Sequence, residues 1–146
     1  LLKVIIRRNK MLEEFIKQID EQIEKAIEHG RKCGKKGLEL NTSIETIDKL
    51  DEVVEFIRNL YQKRLIDENV AWNTAVSLGT LLGEMIIKKH GFRWDINSDN
   101  IPIIKTTEND QLSPITKVYK IIVSEDDIEG RPSSFYNGFI ALNNNK

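Results

Sequence analysis

The 146-residue chain has one cysteine, two histidines and three prolines. One cysteine excludes an internal disulfide framework and any zinc site built from cysteine alone. Two histidines leave little material for a histidine-rich metal centre, so neither a metal nor a cofactor is expected. Long hydrophobic runs are also missing. No apolar stretch approaches the roughly 20 residues that a membrane helix needs. Leu1-Leu2-Lys3-Val4-Ile5-Ile6 is too short for a signal core and lacks a small-residue cleavage site after it. Neither sign of charge dominates: 22 basic side chains face 23 acidic ones, for a net charge of -1. That argues against a nucleic-acid footprint spread over the whole protein. What is present is 40% apolar and 31% charged residues, the balance of one soluble globular domain. A chain of this length buries about two-thirds of its unfolded surface and needs no staples. The lone thiol suits a reducing, cytoplasmic setting, and no membrane is expected among the partners. No internal repeat is visible.

The balanced total hides an uneven distribution. Residues 1–37 hold 10 basic and 6 acidic side chains, whereas residues 108–130 hold 2 basic and 6 acidic. Such ends attract each other or a charged partner. From Asn9 to about His29, Leu12, Ile16, Ile19, Ile23 and Ala26 recur in steps of four and three, which predicts an amphipathic helix stopped by Gly30. Its stripe suits packing on the domain's own helices, and also a homodimer through this first helix. A basic loop, Gly30 to Gly37, follows. Thr42 with Glu45 forms a capping-box pattern at the start of a second helix, whose buried face holds Ile47, Leu50, Val53, Val54, Ile57, Leu60 and Tyr61. A third helix is predicted from about Asp67 to Lys89. It is apolar on most sides, with a polar strip of Asn73, Ser77, Thr80, Glu84 and Lys88. An all-round apolar helix is a central one. Ala71, Ala75, Gly79 and Gly83, four apart, let a neighbouring backbone approach.

After Gly91 the period changes to two. Phe92 to Ile96 and Ile101 to Lys105 read as a hairpin around the Asn97–Asn100 turn, and Pro102 favours an edge position for the second strand. Ser113-Pro114 opens a short helix burying Ile115, Val118, Tyr119 and Ile122. Ser133 is placed to cap a last helix with Phe135, Phe139 and Leu142 inward, before a frayed Asn143–Lys146 end. The fold class is therefore α+β: long helices on a short antiparallel hairpin or sheet, with small C-terminal helices. Residues 1–146 form a single domain, with the first helix and basic loop over 1–37 and the core over 38–146.

The chemistry-bearing residues are few. Three residues, not four, separate Gly30 from Gly34, and Lys36 stands where a phosphate-binding loop needs a hydroxyl. Gly34-Lys35-Lys36-Gly37 matches the Gly-x-x-Gly backbone clamp of KH modules, which makes Lys35 and Lys36 candidate RNA contacts. Nucleic acid is still not the expected partner, because a long helix rather than the module's strand precedes the loop. Cys33 has four basic neighbours, which favour the thiolate, and His29 lies four residues earlier. With no third member in sight, an exposed incidental thiol is the expectation. Glu84 precedes Lys88 by four residues, a favourable helical pair. His90 ends the third helix, where a cation suits the dipole. Trp72 and Trp94 read as core residues. Glu84, His90 and Trp94 are nevertheless the candidate binding groups if the domain is a small hydrolase or takes a ligand. Glu125, Asp126, Asp127 and Glu129 lack the spacing of a calcium loop.

Leu78-Gly79-Thr80-Leu81-Leu82-Gly83-Glu84 followed by Gly91-Phe92-Arg93-Trp94 resembles a signature of small bacterial domains of unknown function, a helix reading LGxxxGE that runs into a GxxW strand. Ser43 to Asp51 is similar to the start of an upstream helix in those domains, and the likeness extends over about residues 40–142. It implies no established activity. Some relatives are immunity or accessory proteins near toxin systems, so the resemblance implies a bacterial domain that binds another protein. With no acid–base, nucleophile or metal constellation in sight, the reading is of a non-enzymatic protein-binding domain with no catalytic residues.

Overall fold

The computed structural model describes residues 1–144. Five helices and a three-stranded sheet follow in the order α1 (Leu2–Arg31), α2 (Ile47–Gln62), α3 (Glu68–His90), β1 (Arg93–Ile96), β2 (Pro102–Lys105), β3 (Gln111–Leu112), α4 (Pro114–Val123) and α5 (Pro132–Asn144). This is the α+β class expected. Asn145 and Lys146, part of the end expected to fray, lie outside the described residues.

Helix α3 is the axis of the fold. Twelve of its residues are buried, and α1, α2 and α4 pack around it. It is also long and apolar enough to cross a membrane by length and composition, which corrects the expectation that no segment approaches that length. However, 67% of that apolar stretch is buried inside the fold, and burial by neighbours accounts for its composition. Its small residues are contact points. A side chain at Gly79 would meet the Cα of Ile115 on α4 at 2.5 Å, and one at Gly83 would run into the Trp94 ring. The helix opens on Asp67, whose carboxylate accepts from the Val70 N–H at 2.9 Å, and closes on Gly91 with φ +78, the left-handed conformation that glycine adopts without strain. The strip read as polar is not a solvent face. Ser77 and Thr80 are buried, and Ser77 Oγ donates to Gln22 Oε1 of α1 at 2.8 Å.

Several local expectations give way to tertiary contacts. Gly30 does not stop α1. The helix runs on to Arg31, and Gly30 is buried where a side chain would meet Leu38 and Leu40. The Thr42–Glu45 capping box does not form. Asn41 Oδ1 instead accepts from Ser43 N and Thr46 Oγ1, and a single 3₁₀ turn over Ile44–Thr46 leads into α2. Strand β2 is central, not an edge, because β3 adds to it. Its proline is tolerated as the first residue, opposite Ile96, since β3 pairs only with Ile104 and Lys105. Leu142 is exposed rather than inward.

Helix α2 holds the C-terminal elements by their ends. A helix leaves its first N–H and last C=O groups without partners. Asp51, buried on α2, accepts from the Ser133 N–H at 2.9 Å and from the Ser133 hydroxyl, so α5 is capped from 82 positions away rather than by Ser133 itself. Gln62 Nε2 donates to the Ile122 and Ser124 carbonyls, and Arg58 Nη2 to those of Ser124 and Asp126. These bonds satisfy the end of α4.

Candidate functional site

The residues singled out from the sequence fall into three separate settings. Trp94 is buried and donates its indole N–H to Glu84 Oε2 at 3.0 Å, with its ring edge-on to Phe15 of α1 at 4.9 Å. Glu84 therefore does not pair with Lys88, which reaches Thr42 Oγ1 at 2.6 Å. The Glu84–Trp94 bond ties α3 to β1. His90 belongs to an aromatic cluster instead. It stacks on Phe92 with ring centres 5.5 Å apart, and its Nε2 meets the Tyr136 hydroxyl at 2.8 Å. Burial, and secondarily Lys89, holds its pKa below the ordinary 6.5, so the dipole-capping cation expected from the sequence is disfavoured. Six helical residues separate Glu84 from His90, about 9 Å of rise and about 120° of rotation, so the two side chains leave α3 on different sides. Lys35 and Lys36 lie exposed in the loop after α1, where Arg31 is held by Glu39 at 2.9 Å.

Cys33 corrects its sequence reading. It is buried rather than exposed, and its Sγ lies 4.0 Å from the Glu52 carbonyl. Its pKa is raised, not lowered, first by burial and then by the Glu52 carboxylate. Of the four basic neighbours, Arg31 and Lys32 pair with Glu39 and Glu28, and Lys35 and Lys36 are exposed, so the thiol is a poor nucleophile. His29 is likewise held below its ordinary value, by burial and then by Lys32. No group of three or more His, Cys, Asp or Glu side chains among the described residues is arranged to hold a metal ion.

The surface feature that stands out was not singled out from the sequence. A cleft of about 620 Å³ runs along α2, lined by Cys33, Asp48, Asp51, Glu52, Glu55, Phe56, Asn59 and Arg131. An adjoining cleft of about 400 Å³ shares Glu55 and Arg131 and extends the acidic strip to Asp126, Asp127 and Glu129. Neither Glu84 nor His90 lines them. Several of these charges are already occupied. Asp51 caps α5, Glu129 meets Lys117 at 2.8 Å, and Arg58 spans Ser124, Asp126 and Asp127.

Asp48, Glu52 and Glu55 are exposed and form no ion pair among the described residues. Their spacing of four and three puts them on one helix face. Like charges so placed destabilise a helix by a few tenths of a kcal/mol each. Lys49 and Arg58, each three residues from one of them, do not neutralise them. Beside them Phe56 is half-buried. The sequence signal was available, as carboxylates at i, i+4 and i+7, but the diversion of Arg58 to the α4–α5 loop was not.

The chain matches no family model, no curated protein and no solved structure.

Proposed function

We propose that this is a non-enzymatic domain that binds another protein, of the immunity or accessory kind, and that its acidic α2 face receives a basic segment of that partner. The observation that carries the reading is the row of Asp48, Glu52 and Glu55, three carboxylates that form no ion pair among the described residues, along a cleft beside Phe56 whose lining holds one cation, Arg131. A basic partner removes the mutual repulsion of these groups and gains charge steering on approach. The half-buried phenyl ring supplies an apolar anchor of the kind that dominates binding energy at interfaces.

The same arrangement is unsuited to acid–base catalysis. The carboxylates are solvated and lie in a row rather than converging on one point. The test is affinity capture from native lysate with the wild-type chain and with Glu52→Lys/Glu55→Lys. A stoichiometric partner, released by salt and at least about tenfold weaker with the double variant, is expected. Recovery of the protein alone, or equal capture by the variant, overturns the reading.

A further inference from the structure

Helix α1 extends well beyond the body it packs on. Its first side chain against the core cluster is Leu12, so about 15 Å of helix precedes the first anchoring contact. All of residues 1–10 are exposed. This stretch carries half of the large apolar side chains left exposed among the described residues: Leu1 is 98% exposed, Leu2 71%, Val4 52%, Ile5 49% and Ile6 59%. Of the others, Ile16 lies further along α1, and Leu65, Val70, Ile128 and Leu142 are scattered. A contiguous exposed apolar surface marks an interaction site, whereas single exposed apolar residues need no explanation.

The charge on the same stretch is one-sided. Residues 1–12 contain Lys3, Arg7, Arg8 and Lys10 and no acidic residue. None of the four cations forms an ion pair among the described residues. Lys3, Arg7 and Lys10, spaced four and three, share one helix face; Leu2, Ile5 and Ile6 are centred about 110° round from it, and Val4 and Arg8 fall together on the remaining arc.

We infer that the N-terminal turns of α1 form an interfacial anchor that lies on an anionic lipid bilayer, aliphatic face toward the acyl chains and cations toward the headgroups. A large aliphatic face with a basic opposite face is the chemistry of such helices. A second copy pairing through the aliphatic residues would leave the cations of both chains without counter-charges, whereas an anionic surface engages aliphatic residues and cations together. Near an anionic surface each cation contributes favourably, and a bilayer needs no shape complementarity from the helix. The sequence expectation of no membrane partner concerned spanning and signal segments, and an interfacial helix is neither. The acidic cleft includes Cys33, just past the other end of α1, roughly 45 Å along the helix axis from the overhang.

Vesicle co-sedimentation tests the inference, with pure phosphatidylcholine and with phosphatidylcholine containing about one-third phosphatidylglycerol. The full chain is expected to pellet with the anionic vesicles, to do so less as salt rises, and to remain in solution with the neutral ones. Ile5→Asn/Ile6→Asn is expected to abolish binding. Arg7→Gln/Arg8→Gln is expected to weaken it about fivefold per cation removed. Both variants alter exposed positions, and circular dichroism checks that they fold. Absence of pelleting, equal pelleting with neutral vesicles, or retention by Ile5→Asn/Ile6→Asn overturns the inference. So does concentration-dependent dimerisation in sedimentation equilibrium that is lost in the same variant and competes with vesicles.

Discussion

Helices α1 and α3 are the two longest elements of the chain, at 30 and 23 residues, yet three residues of α1 are buried against twelve of α3. In α3, nearly every position is decided by a neighbour. Gly79 is small because α4 crosses there, Gly83 because Trp94 lies across it, and Ser77 is polar because Gln22 of α1 reaches it. In the first ten residues of α1 no neighbour decides anything, and large aliphatic and basic side chains stand in solvent. The comparison separates residues chosen for the fold from residues that the fold does not require. In the first group an unusual residue has a structural cause; in the second it asks for a functional one.

The difference can be broken most directly at Gly79. Gly79→Ala puts a methyl group against the α4 backbone, which cannot yield as a side-chain tip can, so a loss of about 3 kcal/mol is expected in urea unfolding. A loss below about 1 kcal/mol would show that α4 shifts freely on α3, and that packing does not dictate this position. A smaller effect sharpens the comparison at the helix ends. His29 on α1 and His90 on α3 are both held below the ordinary value of 6.5, chiefly by burial. The unfolded chain then takes up protons that the folded one refuses. The resulting stability is fully present above about pH 6.5 and is lost as pH falls through that value toward the lowered folded pKa. The urea midpoint should rise between about pH 5.5 and 7, and the rise should flatten in His29→Gln and in His90→Gln. An unchanged slope in both variants would mean that neither ring is buried as a neutral group. The smallest effect belongs to the overhang. Ile5→Asn/Ile6→Asn should leave stability within about 0.5 kcal/mol, and a larger loss would mean that this stretch packs on the body after all.

Much of the candidate chemistry was legible only as composition. Cys33 shows why. Along the chain its neighbours are Arg31, Lys32, Lys35 and Lys36, yet in space it faces α2 and Glu52, so the direction of its pKa shift reverses. Glu84 was read as the partner of Lys88 because helical spacing allows that pair. Trp94 offers it an indole N–H from another element, and Lys88 turns to Thr42. The acidic α2 face lay in plain sight as Asp48, Glu52 and Glu55, but that Glu55 lacks the cation three residues on depends on Arg58 being spent on the end of α4.

Periodicity alone determined the helices, except that α1 starts at Leu2 rather than Asn9 and leaves Ile16 of its stripe exposed, together with the change to strand after Gly91, the central place of α3 and the α+β class. These follow from a repeat of hydrophobic residues matched to a repeat of backbone geometry, which is local. Tertiary structure decided what distance along the chain conceals. The third strand appears because two residues find an open edge on β2. The cap of α5 comes from Asp51 on α2. The partners of Glu84, His90 and Trp94 were settled in the same way, because a buried hydrogen-bonding group takes a partner that the packing brings to it, however far away in sequence.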